Sequence, residues 1–245
     1  MMKSKILLMI GVAALMFTAC KKDPAENVYL QKMTMESIVA GRPNVITANY
    51  VWDNGKIVQS NFETEVMGIS INTPYFYEYE GDKLVHFYSV NSRDTSHHYC
   101  VYDGDMLKSI DDDGTVTNVI SYDKNGNITC FEVLLVSGSK VTNEMEWKNG
   151  NLISATAKKY NAERDSTSIE QHTYTYDDSP SAFSHFPIAL AVENFNSPAT
   201  RGSKHNVVEE GATNEYKNGR LVRSTMDGGV TMSYYYTDGV GPDAE

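Results

Sequence analysis

Cysteine, tryptophan and positive charge are all scarce in this chain of 245 residues. Beyond Cys20 the only cysteines are Cys100 and Cys130, too few for a disulfide-built scaffold and without the paired Cys/His spacing of a zinc site. With 21 Lys and Arg against 32 Asp and Glu, the net charge of −11 argues against a nucleic-acid surface or a polybasic membrane patch. No apolar run reaches the roughly 20 residues of a spanning helix. There is no Gly-rich phosphate loop, no G-x-S-x-G and no H-E-x-x-H. The "DDDG" at 111–114 lacks the alternating acidic spacing of a calcium loop. His97 and His98, as strand neighbours, point to opposite sides and cannot share one metal. The expectation is a protein with no catalytic residues, no metal and no cofactor.

What is present begins with an export signal. "MMKSK" is a short basic stretch, and Ile6 to Phe17 is an apolar run of signal-peptide length. "FTAC" follows, and small residues before Cys20 resemble a bacterial lipobox, with Phe17 in place of its usual leucine. The expected organisation is a signal peptide over 1–19, a lipidated tether over 20–27, one domain over 28–238 and a tail over 239–245. Acylation of Cys20 would hold the chain on a membrane without a spanning segment. The expected location is the outer membrane, on its periplasmic or cell-surface side.

Tyrosine (16) outnumbers phenylalanine (8), as suits half-wet sheet surfaces. "WDNGKI" at Trp52, "WKNGNL" at Trp147 and "YKNGRL" at Tyr216 share an aromatic, a spacer, Asn-Gly, a spacer and an aliphatic. Asn-Gly tolerates the two positive φ angles of a type I′ turn, so each unit reads as a tight hairpin. The register then pairs Trp52 with Ile57, Trp147 with Leu152 and Tyr216 with Leu221. "EGDK" and "DGDM" place Tyr79 opposite Leu84 and Tyr102 opposite Leu107 across type II′ turns. "DKNGN" adds one residue between Tyr122 and Ile128, which a three-residue turn absorbs. The turn glycines recur about every 24 residues, the mark of stacked supersecondary units. The expected fold is all-β: an up-and-down antiparallel meander of about 14 strands, rolled into a soluble barrel or half-barrel to protect its edges. Strands of about seven or eight residues fall short of the roughly 9–11 of a membrane strand.

The "Y-x-[YW]-x-N-G-x-[LI]" units resemble the tyrosine-aspartate repeats of Rhs-type shell proteins. The whole arrangement, with "YTYDDSPSAFSHFPIALAVENFN" after Tyr174, is similar to a family of lipoproteins of unknown function from Gram-negative gut bacteria. That resemblance implies a porin-like β fold and carries no catalytic residue.

The stretch 178–212 breaks the repeat and is too apolar for a solvated loop. Phe183, Phe186, Ile188, Leu190 and Phe195 are expected to plug or cover one mouth of the roll. Trp52, Tyr79, Tyr102, Trp147, Tyr176 and Tyr216 are the candidate binding aromatics, which either hold a glycan or envelope protein or serve as cross-strand register pairs. The expected function is a non-catalytic binding module at the envelope; the alternative is a structural or assembly lipoprotein without a small ligand. Cys100 and Cys130 fall on strands three steps apart, about 14 Å at ~4.8 Å per step. A disulfide needs Cα atoms within about 7 Å, so two free, largely buried thiols are expected.

Overall fold

The computed structural model describes residues 28–243 apart from 40, 67–68, 92–93, 113–114, 136, 194–202 and 209–210. Cys20 and Phe195 lie outside the described residues. The strands are β1 (Leu30–Val39), β2 (Arg42–Asp53), β3 (Lys56–Val66), β4 (Ile69–Glu80), β5 (Lys83–Val90), β6 (Thr95–Asp103), β7 (Met106–Asp112), β8 (Thr115–Tyr122) and β9 (Ile128–Leu134). They continue as β10 (Lys140–Lys148), β11 (Asn151–Asn161), β12 (Ser166–Thr173), β13 (Thr175–Pro180), β14 (His205–Val208), β15 (Thr213–Lys217), β16 (Arg220–Met226) and β17 (Val230–Tyr236). One short helix, α1 (Ile188–Glu193), interrupts them.

Fifteen strands form one antiparallel meander from β12 back to β1, continued through β17, β16 and β15. β13 and β14 pair separately. The main sheet has one strand more than the expected 14, and the two-stranded ribbon where the repeat is interrupted adds two further strands. Strands β2 and β4 run 12 residues, longer than the turn spacing suggested, since their far turns fall beyond the average repeat. The outward row of β3, Gln59, Asn61, Glu63 and Glu65, is polar and carries two carboxylates. Among the described residues no helix is long and apolar enough to cross a membrane.

All six expected pairs form: Trp52 with Ile57, Tyr79 with Leu84, Tyr102 with Leu107, Tyr122 with Ile128, Trp147 with Leu152 and Tyr216 with Leu221. Asn54 and Gly55, at φ 49° and 79°, adopt the two left-handed conformations that make Asn-Gly the preferred dipeptide. A feature the turn chemistry does not announce accompanies every one of these pairs. The register shifts immediately before each aromatic, leaving Val58, Val85, Lys108, Thr129, Ile153 and Val222 unpaired on the returning strands. Such a β-bulge bends the strand and increases its twist. Repeated in six hairpins at one level, it curls the sheet in one sense.

The curl brings distant strands to a common interior. Phe186 meets Tyr50 of β2 edge-on at 5.0 Å and Phe183 meets Tyr234 of β17 at 6.4 Å, while α1 lies against β7. Phe183, Phe186 and Leu190 of the insert are buried, whereas Ile188, which opens the helix, turns outward at 36% exposure. The ribbon β13–β14 stands between the two sheet edges. On one side Tyr174 N donates to Ile153 O and Lys204 N to Gly150 O, both at 3.0 Å. On the other, Tyr216 Oη donates to Asp177 Oδ2 at 2.5 Å. Phe87 and Phe131 are wholly buried inside the roll, beside Ile110 and Leu107. Val240, Gly241 and Pro242, read from the sequence as part of a tail, are buried too.

Cys100 on β6 and Cys130 on β9 are not joined in a disulfide, and β7 and β8 lie between them. Cys100 is buried, whereas Cys130 is only half-covered, its thiol pushed up first by burial and then by Glu132. Alkylation of the denatured, unreduced protein is therefore expected to label both thiols, as read by intact mass; protection of both until reductant is added would contradict the strand order.

Candidate functional site

Two sets of aromatic side chains are organised by the sheet, and they do different things. The first set contains the aromatics of the repeat. Each stands one residue from a bulge, where the ladder is locally broken and a backbone carbonyl needs a donor from elsewhere. Tyr102 Oη donates to Leu84 O at 3.0 Å, Tyr122 Oη to Leu107 O at 2.8 Å and Trp147 Nε1 to Ile128 O at 2.6 Å. Tyr176 Oη donates to Leu152 O at 2.7 Å and Tyr236 Oη to Leu221 O at 2.9 Å. In each case the acceptor is the aliphatic partner in the preceding hairpin. Trp52 closes the series by donating to Leu30 O at 2.8 Å.

Lysines reinforce the same steps between hairpins. Lys83 reaches Gly104 O at 2.6 Å and Asp105 at 2.9 Å, with its ammonium 5.6 Å from the centre of the Tyr102 ring. Lys56 repeats this one hairpin earlier, on Gly81 O, Asp82 and the Tyr79 ring. Tyr79 and Tyr216 depart from the pattern: the buried Oη of Tyr79 has no hydrogen-bond partner, and that of Tyr216 goes to Asp177.

Five of the six aromatics singled out in the sequence thus lie at the turn end of hairpins, and Tyr176 lies near the start of β13 in the separate ribbon. Trp52, Tyr79, Tyr102, Trp147 and Tyr176 are half-buried, and Tyr216 is exposed at 38% but bonded to Asp177. They are strung around the roll rather than gathered at one point. Trp52 is further covered by Tyr29, stacked at 4.8 Å, and by Phe186 at 5.2 Å.

The second set was not evident from the repeat. On the outward face of β4, β5 and β6, Phe76, His86, Tyr88, His97 and Tyr99 make one continuous array of rings. Cross-strand register sets His86 opposite Tyr99, Tyr88 opposite His97 and Phe76 opposite Tyr88. The rings are near-parallel: His86 and Tyr99 stack at 4.5 Å and 12°, Phe76 and Tyr88 at 5.1 Å and 24°. His86 Nδ1 bonds Glu78 at 3.0 Å, and His86 Nε2 meets His97 Nδ1 at 3.1 Å. Tyr99 is 44% exposed at the array's surface. His98, by contrast, faces inward, stacked on Phe87 at 4.6 Å and bonded to Asp112 at 2.5 Å. The two adjacent histidines do part to opposite faces. A usable signal lay in the sequence: "HFYS" and "SHHY" alternate rings with the inward Phe87 and His98, but only the hairpin register shows that they are side by side.

The interior offers far less room. Beside the plug, Phe183, Asn206, Met226, Met232 and Tyr234 surround a pocket of about 40 Å³. That is space for a water or two, against the several hundred cubic ångströms of a small-molecule site.

No family model matches the chain, and no curated protein is similar to it. Among solved structures, a porin-like protein from Bacteroides uniformis is similar at a TM-score of 0.34 and 11% identity, over 84% of this chain and 97% of the other. So distant a likeness carries no functional conclusion for this chain.

The repeat's hydroxyl donors have measurable consequences. Tyr122→Phe leaves Leu107 O without its donor and is expected to cost about 1–3 kcal/mol in denaturant unfolding. Tyr79→Phe removes a hydroxyl that bonds nothing and is expected to stay within about 0.5 kcal/mol of wild type, or to stabilise. Burial pushes Tyr102, Tyr122 and Tyr176 up to about 12. The unfolded chain loses these protons from about pH 10, so their contribution is intact below that pH and disappears as pH rises towards 12. An alkaline titration followed by tyrosinate absorbance and circular dichroism is expected to show ionisation and unfolding together in that window; free ionisation near pH 10 with the sheet intact would contradict it.

Proposed function

We propose that this chain is a lipid-anchored, non-catalytic binding module of the cell envelope, held on a membrane through Cys20 and taking a glycan on the outer face of β4–β6. The observation that supports the reading most is the ring array of Phe76, His86, Tyr88, His97 and Tyr99. Sugars present apolar ring faces rimmed by hydroxyls, so a receptor needs exposed aromatic surface next to hydrogen-bonding groups. Glu78 is exposed beside the array. The plugged interior leaves the outer face as the larger surface for such a ligand. A structural or assembly role is the second reading, favoured by the repeat aromatics, whose polar atoms are mostly spent inside the sheet.

Screening the purified chain on a glycan array tests the first reading. Binding that falls at least about tenfold, or about 1.4 kcal/mol, in Tyr88→Ala/Tyr99→Ala is the expected result. An empty array, or binding indifferent to that double variant, favours the structural role instead. The anchor is tested separately: Cys20→Ala is expected to move the protein from the membrane fraction to the soluble one, and unchanged fractionation would overturn lipidation.

A further inference from the structure

We propose that His86 and His97 form a two-histidine site for a divalent transition-metal ion of the zinc, copper or nickel type. This inference rests on the geometry of the pair and not on the glycan reading.

The chain of contacts assigns the hydrogens. A carboxylate only accepts, so the Glu78 contact places a hydrogen on His86 Nδ1. In the neutral ring, His86 Nε2 is then an acceptor, and the hydrogen between the two imidazoles belongs to His97 Nδ1. One unprotonated imidazole nitrogen is therefore already aimed at a second. A carboxylate holding the far nitrogen of a histidine is also the usual outer support of a metal ligand, fixing its tautomer and raising its basicity.

The spacing fits as well. With metal–nitrogen distances of about 2.0–2.1 Å, two nitrogens 3.1 Å apart subtend about 98° at the ion. That lies between the right angle of square-planar sites and the tetrahedral angle, both used by imidazole-bound ions. The two rings lie 10° from parallel with centroids 5.2 Å apart, and their nitrogen contact makes them edge to edge in nearly one plane. Binding needs each ring to tilt outward so that both lone pairs converge off the line joining the nitrogens. The χ2 torsion of histidine is broad and permits such a tilt. The stacked Tyr99 and Tyr88 limit how far the rings can swing back.

The exchange balances simply. His97 moves its hydrogen from Nδ1 to Nε2 by exchange with solvent, so the ring stays neutral and no net proton is released; two nitrogen–metal bonds form, and the shared hydrogen bond is lost. The other positions on the ion go to water or to an oxygen donor arriving from solvent.

Isothermal titration of the untagged full chain with Zn²⁺ tests this, with Cu²⁺ electron paramagnetic resonance counting the nitrogen ligands. The expected result is one ion per chain with two imidazole nitrogens. Saturable binding is expected to vanish in His86→Ala and in His97→Ala, to weaken about 10–100-fold in Glu78→Gln, and to persist in His172→Ala on the remote strand β12. Circular dichroism of each variant confirms that the sheet is intact. No binding by the wild type, or binding that survives loss of either His86 or His97 in a folded variant, overturns the site. An unchanged affinity in Glu78→Gln overturns the orienting role of the carboxylate.

Discussion

A backbone carbonyl displaced from its ladder must find a donor, and that requirement ties this structure together. At each hairpin a bulge one residue from the turn pair breaks the regular pairing. Except after the Trp52–Ile57 hairpin, where Tyr79 makes no such bond, the next aromatic of the repeat supplies an Oη–H or Nε1–H to the carbonyl beside the break, as Tyr122 does for Leu107 and Trp147 for Ile128. A neutral hydrogen bond contributes only about 1 kcal/mol net, but leaving the carbonyl bare costs more. The same residue therefore sets the register within its own hairpin and the docking of that hairpin on its predecessor. This explains the preference for Tyr and Trp over Phe at that position: the ring packs, and the polar tip bonds.

The curl that the bulges produce has a second consequence. An open sheet of fifteen strands would expose long unpaired edges. Rolling brings β12 and β15 close enough for one short ribbon to stand between them, with Tyr174 bonded to one side and Asp177 to the other. The plug follows from the ribbon, because Phe183 and Phe186 leave β13 directly into the interior. The outward face of β4–β6 gathers stacked rings at the surface, and the histidine pair lies among them.

The tight turns were legible in the sequence because Asn-Gly and Gly-Asp chemistry fixes strand register locally. All six aromatic–aliphatic pairs, the meander and the separation of Cys100 from Cys130 follow from that register alone. The bulges were not legible: Val58, Val85, Thr129, Ile153 and Val222 are β-branched, but so are ordinary strand residues, and Lys108 is not. The ring array escaped for a different reason: its members come from three strands, and each looks like an ordinary outward residue until the strands are aligned. Ile188 shows the limit of reading composition in an irregular segment, where apolar character does not say which way a side chain turns. The donor role of the repeat aromatics was likewise invisible, because it depends on a carbonyl in another hairpin.

Small-angle X-ray scattering of the chain from residue 21 onward is the most direct test of rolling by repeated bulges. A rolled and plugged domain of this size has a radius of gyration of about 17 Å. An uncurled sheet of the same strands would be about 67 Å wide at ~4.8 Å per strand. With strands about 30 Å long and a sheet about 10 Å thick, its radius of gyration would be about 21 Å. A value near 17 Å is the result expected, and one of about 21 Å or more for the monomer would contradict the rolled architecture.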